Sequence, residues 1–353
     1  MRVLQLIDNL SPGGAERMAV NLANALSDMI DRSYLVTTRA EGELRRQLDS
    51  KVSYTFLKKR ISIDFLALLS LKKMVKEEEI DCIHAHGSSF FFGTLLKLIY
   101  PSIQIIWHNH SGASPDWKGL RLKSITWASK YFKAIINVNE QQLDWTFQKL
   151  KTKLTVYIPN FVMEGSKGVA QLAGHDGYRV VSLANLRNPK EHHFLVEVFR
   201  KVQEKIPQAT LHLVGADYGD AYSTTLKTRI RGNGLENNIF IHGLQDHVDQ
   251  FLNACDIGVL SSSSEGLPMA LLEYGRAGLA VIVTAVGQCP DVVQDFGKIV
   301  PYGNQDAYAA AMVEYLEDKK EREIRATAYG QHINDTYGVN QVLHKVIDLY
   351  KTS

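Results

Sequence analysis

Ile257-Gly-Val-Leu-Ser-Ser-Ser-Ser-Glu-Gly-Leu-Pro-Met-Ala-Leu-Leu-Glu273 joins an apolar run, a polar loop and the start of a helix. Ile257–Leu260 reads as a buried strand, a short apolar run closed by turn residues. Ser261–Ser264 does not continue it, and Glu265-Gly266 turns the chain. Pro268 suits a first helical turn, because the amide it lacks would have no intrahelical partner. The amides beyond that turn, at the positive end of a helix dipole, form an anion site. Glu265 stands before the helix. Glu273 lies one to two turns inside it, spaced to meet a different part of a long ligand.

The same strand–loop–helix alternation extends in both directions. Strands are expected at Val3–Ile7, Tyr34–Thr38, Ser53–Leu57, Cys82–His84, Ile103–Trp107, Ala134–Val138 and Thr155–Ile158, then at Arg179–Leu183, Thr210–Val214, Ile239–His242 and Ala280–Thr284. Helical periodicity fills the gaps, as in Ala15, Ala19, Leu22, Ala23 and Leu26, and over Glu191–Lys205 and Asp246–Ala254. Two more helical patterns, Asp306–Leu316 and Gln341–Tyr350, close the chain. Such alternation implies parallel strands joined by crossover helices. The stretch Glu164–Tyr178 has four glycines and no period, so it reads as a linker. The expected fold class is therefore α/β, with two doubly wound Rossmann-like domains. They are an N-terminal domain at 1–165, a linker at 166–177, a C-terminal domain at 178–335, and a helix within 336–353 packing back on the N-terminal domain. Open α/β sheets bind ligands at their strand C-terminal ends, so the cleft between the domains is the expected active site.

Composition narrows the function. The net charge of +2 over 353 residues gives no bulk attraction for nucleic acid, so no nucleic-acid partner is expected. Cys82, Cys255 and Cys289 are few and scattered, as expected of reduced thiols in a cytoplasmic protein. Arg2–Ile7 reaches Asp8 too soon for a signal peptide and reads as a first strand. Ile63–Leu71 and Phe90–Tyr100 fall short of the ~20 residues that span a bilayer. Lys58-Lys-Arg60 and Lys72-Lys73 flank the apolar run Phe65–Leu71, and Trp117, Lys118, Arg121 and Lys123 form a second basic-aromatic group. Each reads either as a solvated helix face or as a contact for an anionic membrane at its cytoplasmic side.

Taken as an isolated pair, Glu265 and Glu273 read equally as a helix cap and a solvated face. The surrounding frame adds more. Ser-x-x-Glu-Gly-x-Pro-x-x-x-x-Glu-x-x-x-x-Gly, met here by Ser262, Glu265, Gly266, Pro268, Glu273 and Gly278, resembles the signature of glycosyltransferase family 4 (glycosyl transferases group 1), retaining enzymes of GT-B fold. The resemblance continues through Ser182-Leu-Ala-Asn-Leu-Arg-Asn-Pro-Lys190, Val214-Gly215, Val286-Gly287 and Pro290-Asp291. It implies a transferase that moves a sugar from a UDP- or GDP-linked donor to a carbohydrate or lipid-linked acceptor, plausible chemistry for bacterial surface polysaccharide or glycolipid. In that frame Glu265 contacts the donor sugar, Glu273 the ribose and Lys190 the diphosphate, while the amides of Gly266, Leu267, Met269 and Ala270 line the donor loop. The family arginine is replaced by Asn185 and its glycine by Glu191, and Arg187 is the candidate replacement for the missing guanidinium.

In the N-terminal half, Asp8-Asn-Leu-Ser-Pro-Gly-Gly-Ala-Glu16 resembles the family's Gly-Gly turn, which places Gly13 and Gly14 at the donor phosphates. The strand Gln104–Trp107 runs into His108-Asn-His110, and the resemblance assigns His110 to the donor sugar, with His108 the second choice. His84 and His86 repeat that spacing. Four paired histidines invite a metal reading, but no third or fourth ligand at suitable spacing is visible, so no metal and no cofactor is expected. The absence of an Asp-x-Asp motif leaves the leaving-group charge to protein groups. Competing readings are a degenerate transferase, prompted by Asn185, a nucleotide-sugar epimerase of the same fold, and a two-lobed sugar-binding protein without catalysis.

Overall fold

The computed structural model describes residues 1–110 and 117–351. The chain divides into two compact units. One is Met1–Met163 together with the helix that starts at Val339, and the other is Glu164–Gly338.

In the first unit, β1 (Arg2–Ile7), α1 (Gly14–Ser27), β2 (Arg32–Thr37), β3 (Ser53–Phe56), α2 (Phe65–Glu77), β4 (Cys82–His86), α3 (Phe90–Ile99), β5 (Gln104–Asn109), α4 (Gly119–Ala128), β6 (Ala134–Asn137), α5 (Glu140–Lys149) and β7 (Thr155–Tyr157) follow one another. Among the described residues the strands form one parallel sheet, ordered β3-β2-β1-β4-β5-β6-β7. Its strands are buried on both faces, which is why they read as continuous apolar runs. Asp64 and Asn139 cap α2 and α5 by accepting from Ala67 N and Gln142 N. The helix α1 begins at Gly13 with no side-chain cap.

The second unit contains β8 (Arg179–Leu183), α6 (His192–Lys205), β9 (Thr210–Val214), α7 (Ala221–Gly232), β10 (Ile239–Gly243), α8 (Val248–Leu252), β11 (Ile257–Leu260), α9 (Met269–Arg276), β12 (Ala280–Thr284), α10 (Cys289–Val293), β13 (Lys298–Val300), α11 (Gln305–Glu317) and α12 (Lys319–Tyr337). Its described strands run parallel in the order β10-β9-β8-β11-β12-β13. Each sheet reverses its order once, between β1 and β4 and between β8 and β11, which are the switch points where such sheets take ligands.

Several expectations need correction. The stretch 166–177 is not a free linker. It lies along the second unit, where Asn253 Nδ2 donates to the carbonyls of Ser166 and Gly168 (both 2.9 Å) and Ala170 N donates to Gln250 O at 2.9 Å. Its glycines carry no side chain to mark that contact in the sequence. The longest helix, α12, was not expected. Its buried residues Ala326, Tyr329, Ile333 and Tyr337 form a thin stripe among charges, which hides the helical period. The short strand β13 was also missed. The last helix, α13 (Val339–Lys351), packs Val342, Leu343, Val346 and Tyr350 into the core formed by β1, α1 and β5 of the first unit. Trp117 is not part of a surface group. It is buried against Phe90 and Trp107, with the Arg121 guanidinium 4.2 Å above its ring.

Candidate active site

The second unit's site is built on β8 and β11, adjacent strands at the switch point. Lys190 follows β8 and Glu265 follows β11, and Lys190 Nζ donates to Glu265 Oε1 at 2.5 Å. Ser262 Oγ donates to the same oxygen at 2.5 Å. The pair is largely withdrawn from water, with 22% and 8% of the two side chains exposed. The backbone holds the two loops together as well. Ser263 N donates to Pro189 O at 2.9 Å, and Ser261 Oγ donates to Lys190 O at 3.0 Å. Gly287, at φ +52°, passes so close that an added Cβ would sit 1.9 Å from the Glu265 carbonyl oxygen. That approach requires glycine.

The two departures from the family frame have structural uses. Asn185 Oδ1 accepts from Ala216 N at 3.0 Å and its Nδ2 donates to Tyr218 at 3.2 Å, so it pins the loop after β9. Glu191 sits at φ +57°, the left-handed region that favours glycine, and its carboxylate accepts from Ser263 Oγ at 3.1 Å. Arg187 is exposed on the same loop. Pro268 forms the N-cap of α9 rather than its first turn, so Met269 and Ala270 are the first helical residues, with Gly266 and Leu267 in the approach. Glu273 is half-buried in the second turn of α9.

In the first unit, Gly13 and Gly14 lie at the start of α1, beyond the C-terminal end of β1. A group that sequence reasoning missed stands at the same switch point. Asp8 accepts from Ser88 Oγ (2.6 Å) and Thr38 Oγ1 (2.5 Å), with Lys59 Nζ at 3.5 Å and Arg39 at 3.8 Å. Burial raises the Asp8 pKa, but those hydroxyls and cations outweigh it and hold the carboxyl below its ordinary 3.8. Lys59 is itself buried, with its ammonium 4.6 Å from the Phe92 ring. The only sequence signal was a polar residue ending a strand.

His84, His86, His108 and His110 form one packed group across β4 and β5. His84 Nε2 lies 3.0 Å from His108 Nδ1, and His86 Nδ1 lies 3.0 Å from His110 Nε2. His108 is fully buried within the sheet, and His110 is half-buried at its edge. Burial drives His84 and His110 down to about 3 and puts His86 and His108 well below the ordinary value, so all four rings are neutral at physiological pH. Nitrogens of His84, His86 and His108 come within 4.8 Å of one another. The rings are nevertheless not arranged around an ion. His84 and His86 stack with planes 3° apart and centroids 4.7 Å apart. An imidazole ligates along a lone pair in its own plane at about 2.0–2.1 Å, so two stacked, parallel rings do not converge on one ion.

Each unit is a doubly wound parallel α/β sheet with charged side chains gathered at its switch point, the place where such sheets take ligands. Residues 12–163 match Glycosyltransferase Family 4, and residues 169–331 match Glycosyl transferases group 1. The chain belongs to this family and is a glycosyltransferase of GT-B fold. It is similar to the O-antigen biosynthesis glycosyltransferase WbnH of Escherichia coli, 26% identical over 92% of this chain and 93% of that protein. It is also similar to the Escherichia coli UDP-Gal:alpha-D-GlcNAc-diphosphoundecaprenol alpha-1,3-galactosyltransferase, 23% identical over 88% of this chain and 87% of that one. Among solved structures, Anabaena HepE in complex with UDP-glucose superposes with a TM-score of 0.82 at 19% identity, covering 99% of both chains. Among the described residues no helix is long and apolar enough to cross a membrane.

Proposed function

We propose that the chain is a retaining, metal-independent transferase that takes a sugar from a UDP- or GDP-linked donor and passes it to a carbohydrate or lipid-linked acceptor in surface polysaccharide synthesis. The observation that carries this reading is the Lys190–Glu265 pair at the β8/β11 switch point, beside the first turn of α9. A diphosphate arriving there draws the Lys190 ammonium to itself, and Glu265 Oε1 is released to accept from donor sugar hydroxyls. The amides of Gly266, Leu267, Met269 and Ala270, the exposed Arg187, and Gly13 and Gly14 add positive potential around the phosphates, and Glu273 takes the ribose hydroxyls. His110 contacts the transferred sugar. The bond from the anomeric carbon to the diphosphate breaks, a bond to the acceptor oxygen forms on the same face, and the acceptor's proton leaves on the departing diphosphate. Charge on that diphosphate is met by protein groups instead of a metal.

The UDP-glucose bound by HepE and the UDP-Gal used by the Escherichia coli transferase favour a uridine nucleotide, and the latter's diphosphoundecaprenol acceptor favours a lipid-linked one. A membrane contact fits α2. Phe65 and Leu66 are 71% and 79% exposed, with Leu69, Ile61 and Ile63 also exposed beside Lys58, Arg60, Lys72 and Lys73. That contact would hold the enzyme at the cytoplasmic face of the membrane.

A thermal-shift panel of UDP, GDP, ADP and free sugars, with and without EDTA, tests the reading. A shift with UDP or GDP that persists in EDTA supports it. A response to free sugars alone, or one restored only by Mg²⁺ or Mn²⁺, overturns it.

A further inference from the structure

Two hydrogen-bonded rows cross the first unit's sheet beneath His110. In one, Gln5 Oε1 meets His86 Nε2 at 2.8 Å, and His86 Nδ1 meets His110 Nε2 at 3.0 Å. In the other, the Tyr350 hydroxyl meets His84 Nδ1 at 2.5 Å, and His84 Nε2 meets His108 Nδ1. Gln5 and His86 are fully buried on β1 and β4, strands that flank the switch point. Stacking against His84 and a nearly coplanar, edge-to-edge hydrogen bond to His110 keep the His86 ring from turning.

We infer that Gln5 and His86 are positioning residues that set the tautomer of His110, leaving His110 Nδ1 bare to accept a hydrogen bond from a hydroxyl of the donor sugar. The inference rests on the transferase reading for the identity of that hydroxyl. With the Gln5 amide oxygen facing His86, the proton positions follow along the row. A carbonyl oxygen only accepts, so His86 Nε2 carries the hydrogen. The ring is neutral because it is buried, so its Nδ1 is an acceptor. Its partner, His110 Nε2, must then be the donor. His110 is also neutral and has one hydrogen, already committed to His86, which leaves Nδ1 with a lone pair. A histidine so fixed recognises a hydroxyl as a donor and does not protonate it. Without Gln5 both tautomers of His86 are open, and those of His110 follow. The buried His108 Nε2, without a partner, marks the end of the second row.

The test reads tautomers directly in the full, ligand-free chain labelled with ¹⁵N-histidine, using long-range ¹H–¹⁵N correlations assigned with single histidine variants. In the wild type, His86 and His110 should both carry hydrogen on Nε2. In Gln5→Met the two residues should change together, with Nδ1–H forms appearing in both. Gln5→Glu restores an acceptor at that place and should return the wild-type pattern. An Nδ1–H His110 in the wild type, or a Gln5→Met variant whose His110 is unchanged, overturns the inference. The wild-type measurement does not depend on Gln5→Met and decides the matter even where that variant does not fold. With the sugar nucleotide selected by the panel, Gln5→Met should lower kcat about tenfold, leave nucleoside diphosphate affinity unchanged, and be rescued by Gln5→Glu. An equal loss of nucleotide affinity also overturns it. A silent panel would defeat the transferase reading while the tautomers remain measurable, so the two failures are distinct.

Discussion

Lys190→Met separates the two duties assigned to the Lys190–Glu265 pair. The substitution keeps the stem and removes the ammonium, so Glu265, 8% exposed, stays charged with Ser262 as its remaining partner. Breaking a fully buried pair from one side costs roughly 3–5 kcal/mol. The partial exposure of Lys190 and the surviving Ser262 bond reduce this to about 2 kcal/mol. A domain of this size loses ~2–4 °C per kcal/mol, so Tm should fall by about 4–8 °C. Adding Glu265→Gln removes the stranded charge and keeps an acceptor for Ser262, so the double variant should recover most of that fall. Nucleotide affinity should behave differently. A charge-assisted contact to the diphosphate contributes roughly 1.5–3 kcal/mol, so both variants should bind the preferred nucleoside diphosphate about tenfold or more weakly. Differential scanning calorimetry and isothermal titration calorimetry read the two quantities. A double variant as unstable as Lys190→Met refutes the stranded-charge argument, and wild-type affinity in Lys190→Met refutes the diphosphate role.

Glu273→Gln should raise the donor KM more than it lowers kcat, and His110→Ala should lower kcat with nucleoside diphosphate affinity retained; steady-state kinetics beside binding calorimetry checks both. Gly287→Ala forces a Cβ onto the Glu265 carbonyl at a left-handed φ and should destabilise the protein by more than 1 kcal/mol, seen as a lowered urea midpoint. Asp8 titrates below 3.8 in the folded state, so its share of stability is fully present above the ordinary carboxylate value and is lost as pH falls through the folded pKa. Asp8→Asn should flatten that part of the stability curve between pH 5 and 2 in denaturant titrations.

All the described strands except the short β13 were legible, most of them because buried parallel strands are runs of Val, Ile and Leu, as in Ala280–Thr284 and Ile257–Leu260. The helix α12 was not, because its few buried residues are outnumbered by charges on its other faces. Lys190 and Glu265 stand 75 residues apart, and their pairing depends on β8 lying beside β11. The period-two spacing of His84 with His86 and of His108 with His110 was plain, but strand order alone makes them one group. Gln5 and Tyr350 carry no motif at all. They join the histidines only because β1 neighbours β4 and the last helix returns to the first unit. Asn185 looked like a lost function in the sequence, and in the structure it is a clamp on the next loop.

The return of α13 also sets an order of events during synthesis. The second unit, Glu164–Gly338, is contiguous and can complete its core as soon as it has emerged. The first unit is interrupted by it, because Val342, Leu343, Val346 and Tyr350 fill space beneath β1 and α1. At about 5–20 residues per second, the earlier-made portion waits on the order of ten seconds or more for those side chains. During that interval the apolar seat of α13 and the buried row beginning at His84 are open to water. A cell making this protein therefore holds, on each ribosome, a nascent amino-terminal sheet with part of one face, beside α1, uncovered, an apolar surface that a holding chaperone can bind.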